Sequence, residues 1–329
     1  MSHTTTSTTS QLDSRATSTS PWKAATQWMA RHHLPLFRVT FGLYFVVLFA
    51  RMLPWATSMY SNGGVLADWR LNPTSDMVPN LLYIFDSPTA AVACVVAMLL
   101  LSISYLVGFR LKWVAVLMWA GWAMLWHRNV LTLNPSMPFN GFLMLATLFF
   151  PANMPWSVDR WLALRRSSNR TTLCQDTPPP REPTGHVPRD LWRVVWVVTA
   201  VAYTFSGWTK LTSPGWFSGD ALRFILDGPL ARDVVWVDWM LSGPSWLLPI
   251  LTWLTLGAEL LYGPLALLGG HKGRLLAWTS MVALHVGLVG VLQFAELSVG
   301  MLLVHVLTFD PRWLRLWTFE THDSHVSEP

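Results

Sequence analysis

Tyr203, Ser206 and Lys210 are spaced i, i+3 and i+7, so a helix through them puts a phenol, a hydroxyl and an amine on one face. Such an amine becomes a base only when desolvation or a neighbouring cation lowers its pKa, because water keeps it protonated. At a helix end it can instead be an anchor, with its stem in lipid and its ammonium among headgroups. Trp216 follows in Pro214-Gly-Trp-Phe-Ser-Gly219, in a Trp-rich outer segment that would partly desolvate the amine, and is a candidate to bind substrate. Glu259 lies mid-way along an apolar run and shares a face with Tyr262; it is either a neutral structural carboxyl or a proton carrier. His285 and His305 lie in the last two apolar runs. If those runs form an antiparallel hairpin, both imidazoles sit roughly 12–14 Å below the same surface and can share a cavity. Either could equally be a packed core histidine, and no carboxylate or cysteine at ligand spacing supports a metal. Asn134 and Asn140 flank the start of another apolar run, where amides can orient a ligand or simply cap a turn.

The elements that must carry these groups are membrane helices. The chain of 329 residues is 52% hydrophobic and 12% charged, and soluble domains carry about twice that charged fraction. Its 21 Trp suit many membrane–water boundaries, where indole finds both an apolar and a polar partner. The reading is an all-α polytopic membrane protein with the lipid bilayer as its main partner. Apolar runs predict about eight spans, at 34–53, 87–108, 111–127, 139–153, 192–211, 246–269, 274–293 and 296–309. The fourth and eighth are short enough to be half-helices shielded by their neighbours. Arg38, near the start of the first span, is expected to snorkel.

Starting the chain inside places Arg and Lys in every inner segment. They are Arg110 and Lys112, then Arg160 through Arg193, then Lys272 and Arg274, with Arg312 and Arg315 in the tail. Both termini are therefore expected to be cytoplasmic, in a plasma (cell inner) membrane. The basic residues are spread over short connections, which argues against a nucleic-acid partner. Residues 1–28 read as a Ser/Thr-rich disordered arm without a cleavable signal, 30–315 as the membrane domain and 316–329 as a cytoplasmic tail. The inner loop 159–190 is Pro-rich around Asp176–Gly185. Two longer outer segments, 55–86 and 212–245, would roof the bundle, with Ala221-Leu-Arg-Phe-Ile-Leu226 as a short interfacial helix. The two cysteines, Cys94 and Cys174, fall in unlike surroundings and predict no disulfide.

Four motifs occur in an order that resembles a known family: Tyr60-Ser-Asn-Gly-Gly-Val-Leu66, Trp156-Ser-Val-Asp159, Ser206-Gly207-x-x-Lys210-Leu211 and Trp216-x-x-Gly219. Together they are similar to the membrane domain of vitamin K-dependent gamma-carboxylase, called HTTM in bacteria, over residues 30–315. In size the chain resembles the short bacterial members that include a maturation protein for a sporulation-delaying peptide. The resemblance implies an enzyme whose cofactor is a reduced quinone like vitamin K hydroquinone. Lys210 would be its base, Glu259, His285 and His305 would handle protons, and Tyr203, Ser206, Asn134, Asn140 and Trp216 would hold the substrate. Thr209 stands where the family's segment has a first lysine, and Asn134–Gly141 lacks the family's histidine. The carboxylase's extramembrane region has no counterpart after Arg315, so full carboxylation is not expected. The alternative is a non-catalytic membrane factor that helps mature or export a secreted peptide encoded nearby. A transporter is disfavoured by the lack of an internal repeat.

Overall fold

In the absence of water, a chain in lipid must satisfy its backbone within each segment, which leaves the helix as the natural solution for these apolar runs. The computed structural model describes residues 29–171 and 189–313, except 74, 78, 133 and 152. The arm 1–28, Cys174, the Asp176–Gly185 stretch and the tail 316–329 lie outside the described residues. Among those described the fold is all-helical. The long helices are α1 (Met29–Tyr60), α2 (Pro88–Val107), α3 (Leu111–Arg128), α4 (Ser136–Phe149) and α5 (Val158–Thr171). They continue as α6 (Arg189–Lys210), α7 (Leu247–Leu268), α8 (Gly270–Val291) and α9 (Glu296–Thr308).

Each apolar run is a helix, with shifted ends. Helix α8 starts four residues before its run because Gly269–Gly270 makes the turn and lets the basic stretch after it wind into the helix. It stops at Val291 because Leu292 is drawn into an antiparallel bridge with Ala231. The inner connection begins as helix α5 rather than loop; its Trp161 faces outward under the Arg165 guanidinium, 3.8 Å from the ring. Four helices, α1, α2, α7 and α8, are long and apolar enough to cross a membrane. Helices α4 and α9 are apolar but short. The outward faces carry Leu43, Val47, Leu100, Val201, Phe205 and Leu254, all more than a third exposed, an apolar surface that calls for lipid rather than water.

Inside the bundle α1 packs along α2, α6 along α7 and α7 along α8, while α9 touches α1, α4, α6 and α8. Helix α9 is thus the hub of the fold. Phe37, Phe41, Phe45 and Phe49 recur every fourth residue and turn one face of α1 wholly inward, each ring 4.9–5.8 Å from the next. Arg38 does not snorkel. It is fully buried and donates to the carbonyls of Tyr105 (3.2 Å), Leu106 and Trp156 (2.7 Å), capping the end of α2. The carbonyls a helix leaves unpaired at its C-terminus need a donor, and Arg38 supplies it here.

The 55–86 segment serves the same purpose for α3. Tyr83 and Asn72 donate to the His127 carbonyl, and Asn80 donates to that of Met124 at 2.7 Å. The Tyr60–Leu66 motif is a tight turn in which Val65 N–H donates to Ser58 O, and a Cβ on Gly64 would fall 2.3 Å from that oxygen. The 212–245 segment holds the expected helix, Ala221–Leu226, with two others, Pro214–Ser218 and Val235–Ser242. Arg232 and Trp236 fasten it to α8 through the carbonyls of Val289 and Gly290, at 3.1 Å each.

Glycine sets the α6–α7 distance. A Cβ on Gly207 would lie 2.8 Å from the Leu260 backbone nitrogen and 3.1 Å from Glu259 Cβ. Gly207→Val is expected to force the two helices apart and lower stability by about 1–3 kcal/mol, read as an earlier transition in a detergent unfolding titration. An unchanged transition would mean that the contact yields freely.

Candidate functional site

The close approach of α6 and α7 brings Lys210 and Glu259 together, 49 positions apart in the chain. The Lys210 ammonium donates to Glu259 Oε2 and, at 2.8 Å, to Ser206 Oγ one turn back on its own helix. The Trp216 ring covers it, with Nζ 5.0 Å from the centroid. The side chains of Lys210 and Glu259 are 20% and 9% exposed, so the pair is largely out of solvent. Two charges in such a place are tolerable together and very costly apart.

Deeper along the same face, Tyr203 lies between the two histidines. Its hydroxyl is 2.7 Å from His285 Nε2 and 2.9 Å from His305 Nε2. Tyr262, one turn on from Glu259, packs against the Tyr203 ring at 4.7 Å between centroids, so the ion pair and the histidine cluster share a wall. His285 Nδ1 is 3.3 Å from Ser298 Oγ on α9, and Trp278 Nε1 donates to the His305 carbonyl at 2.8 Å.

The hydrogen bonds give this cluster a direction. A phenol has one proton, so Tyr203 donates to one imidazole and accepts from the other. His305 Nδ1 is buried with no partner among the described residues, and an unpaired lone pair is better tolerated there than an unpaired N–H. His305 therefore carries its proton on Nε2 and donates to Tyr203, which donates to His285. His285 then carries its proton on Nδ1, facing Ser298. These tautomers are assigned from the network.

No family model, curated protein or solved structure matches this chain. What it can do is therefore read from these residues.

Seven of the residues singled out in the sequence meet in this region: Tyr203, Ser206, Lys210, Trp216, Glu259, His285 and His305. Asn134 and Asn140 are placed elsewhere. Asn134 Oδ1 accepts from the Ser136 amide (3.0 Å) and hydroxyl (2.6 Å), an Asx turn that opens α4. Asn140 is fully buried against α9, where a Cβ on Gly300 would come within 3.2 Å of its Nδ2. Its nearest hydroxyl is Tyr44, at 3.5 Å. Three residues of the cluster escaped the sequence reading as site residues: Tyr262, Ser298 and Trp278. Each had a faint signal in its spacing from a chosen residue, three after Glu259, seven before His305 and seven before His285.

Two lateral grooves lie on the helices that carry the cluster, lined by its chain neighbours rather than by the cluster itself. One, of about 630 Å³, lies between α6 and α7 and is lined by Thr204, Phe205, Trp208 and Pro264. The other, of about 460 Å³, lies between α7 and α8 and reaches Ala258 and Leu284, the chain neighbours of Glu259 and His285. Both have the size of small-molecule sites and walls suited to an apolar ligand. Among the described residues no group of three His, Cys, Asp or Glu could hold a metal.

Proposed function

We propose that this is a membrane-embedded enzyme of the carboxylase-like class that deprotonates a lipid-soluble hydroxyl compound, a quinol, at the Lys210–Glu259 pair. The observation that carries the reading is that pair itself, held in a largely dry position beside a Tyr–His–His cluster and apolar grooves. While paired, Lys210 holds a proton, so the group free to accept one is the Glu259 carboxylate. A quinol O–H would pass its proton to Glu259, and the Lys210 ammonium would stabilise the resulting oxyanion. Tyr203 and the histidines would carry protons away from the pair. The quinolate, far easier to oxidise than the quinol, would give two electrons to molecular oxygen and become the quinone. The oxygen would leave as hydrogen peroxide, with the proton held on Glu259 and that of the second hydroxyl.

The same reading takes all eight apolar helices as spans, with both termini cytoplasmic in the plasma membrane. Its support is the distribution of charge. Arg31, Arg110, Lys112, Arg160, Arg193, Lys272 and Arg274 fall at helix ends or connections on the side away from Lys210.

A non-catalytic role with a secreted peptide is favoured by one feature. The two roofing segments expose Val65, Met77, Phe217 and Val235, each at 74% or more. The deciding experiment is consumption of a reduced naphthoquinone by the purified protein in nanodiscs, with Lys210→Ala beside it. Turnover above the autoxidation blank that falls about a hundredfold in the variant is expected, the size of a lost acid–base group. Turnover equal to the blank with folded protein would remove the quinol reading and leave the peptide partner.

A further inference from the structure

At the end of the bundle opposite Lys210, a second site is built from the Trp156–Asp159 motif, which the proposed chemistry does not use. A cavity of about 480 Å³ opens there between the α2–α3 turn and the α4–α5 connection. Its polar lining includes Arg110, Lys112, Arg166, Asp159, Asn153 and Ser157. Three cations thus face one carboxylate, and that carboxylate is already engaged, since Asp159 Oδ1 accepts the Arg110 backbone N–H at 3.0 Å. Arg110, Lys112 and Arg166 form no ion pair among the described residues. Helix α3 begins at this cavity, and its first turn has no side-chain cap. Cations, free backbone donors and a helix N-terminus together make an environment for an anion.

The backbone around the cavity is strained in the way that binding sites often are. Among the described residues, the three non-glycine residues with positive φ are Arg110 (45°), Asn153 (58°) and Trp156 (60°). All belong to the two connections that form the cavity. Their shape is held from below, where the buried Arg38 clasps the Trp156 carbonyl at 2.7 Å and the end of α2. From above, Asp159 N–H donates to Gly108 O at 3.2 Å. A Cβ on Gly108 would meet Ser157 Cβ at 2.7 Å, so the two connections touch directly.

We propose that this cavity binds the phosphate of an anionic membrane lipid. The occupant is read from the rim. Phe109 and Trp113, which line the cavity, are 41% and 72% exposed, and Trp161, the chain neighbour of the lining Leu162, is 49% exposed. Aromatic side chains at a helix end mark the headgroup level of a bilayer, where basic pockets between helices take lipid phosphates. The glycerol and first acyl carbons would lie on the aromatic rim while the phosphate enters among the three cations.

The test uses the full chain, purified and delipidated in a neutral detergent, with bound lipid followed by native mass spectrometry. The probes are phosphatidylglycerol, phosphatidylcholine and inorganic phosphate. Phosphatidylglycerol is expected to bind in preference to phosphatidylcholine. Lys112→Gln/Arg166→Gln should weaken it by about tenfold, the worth of roughly one charge-assisted hydrogen bond. Both of those side chains are exposed, so the variant keeps its core. Arg110→Gly is a second, independent variant, because glycine suits the positive φ while removing the charge; it should also bind less lipid. Equal binding of the two lipids, or unchanged binding in both variants, overturns the proposal. Inorganic phosphate binding as tightly as phosphatidylglycerol would overturn the lipid as occupant and put a soluble phosphate in its place.

Discussion

Glu259→Leu alone is expected to destabilise the protein by about 3–5 kcal/mol, because it strands the Lys210 ammonium in a largely dry site without its counter-charge. The value belongs toward the lower end, since Lys210 keeps 20% exposure and its stem can carry the ammonium outward. Lys210→Met with Glu259→Leu should recover most of the loss, because neither charge is then left without a partner. The check is a double-mutant cycle on unfolding in mixed detergent micelles. A single Glu259→Leu variant as stable as the double would show that the two side chains do not depend on one another. The same variants separate folding from chemistry. The double variant should be folded and inactive toward quinol, whereas Glu259→Asp, with a shorter reach, should be folded and slow.

Tyr203→Phe should have the second largest effect, on activity more than on stability. The substitution keeps the ring and its contacts with Tyr262 and His305 but removes the oxygen that both imidazoles use. Two buried nitrogens then lose their partner at once, at a cost of about 1–3 kcal/mol each if no water enters. Quinol turnover is expected to fall by about a hundredfold or more, since the step that moves protons away from the pair is broken. Turnover rates in wild type and variant, with melting curves beside them, read the two effects separately. A variant of full activity would show that the cluster is structural packing beside the pair.

The helices were legible because long apolar runs need their backbone groups paired within each segment, and the helix does that. Their ends were less so, because tertiary contacts set them, as where Ala231 takes Leu292 out of α8. Charges near helix ends misled the reading of Arg38. A cation at that place looks like a snorkelling anchor until the fold brings the last carbonyls of α2 against it. Helix α5 was hidden because its arginines made the segment read as a polar loop. Within the site, Tyr203, Ser206 and Lys210 were visible as a single helical face. The meeting of Lys210 with Glu259 was not, since it depends on how α6 and α7 pack, and their contact is set by the small side of Gly207. The surroundings of the asparagines depended on packing in the same way. Amides beside an apolar run look available, but packing against α9 buries Asn140 and the start of α4 consumes Asn134.

The directed chain from His305 through Tyr203 to His285 and Ser298 cannot act as a continuous wire. When a proton hops along it, each donor becomes an acceptor, and the whole line is left pointing the opposite way. His305 would then hold its proton on the nitrogen that has no partner, a state of higher energy than the starting one. A second proton could follow only after the phenol had swung round and both rings had exchanged their protons again. Were a proton to pass along it, the line would resist a second transfer until it had returned to its original orientation.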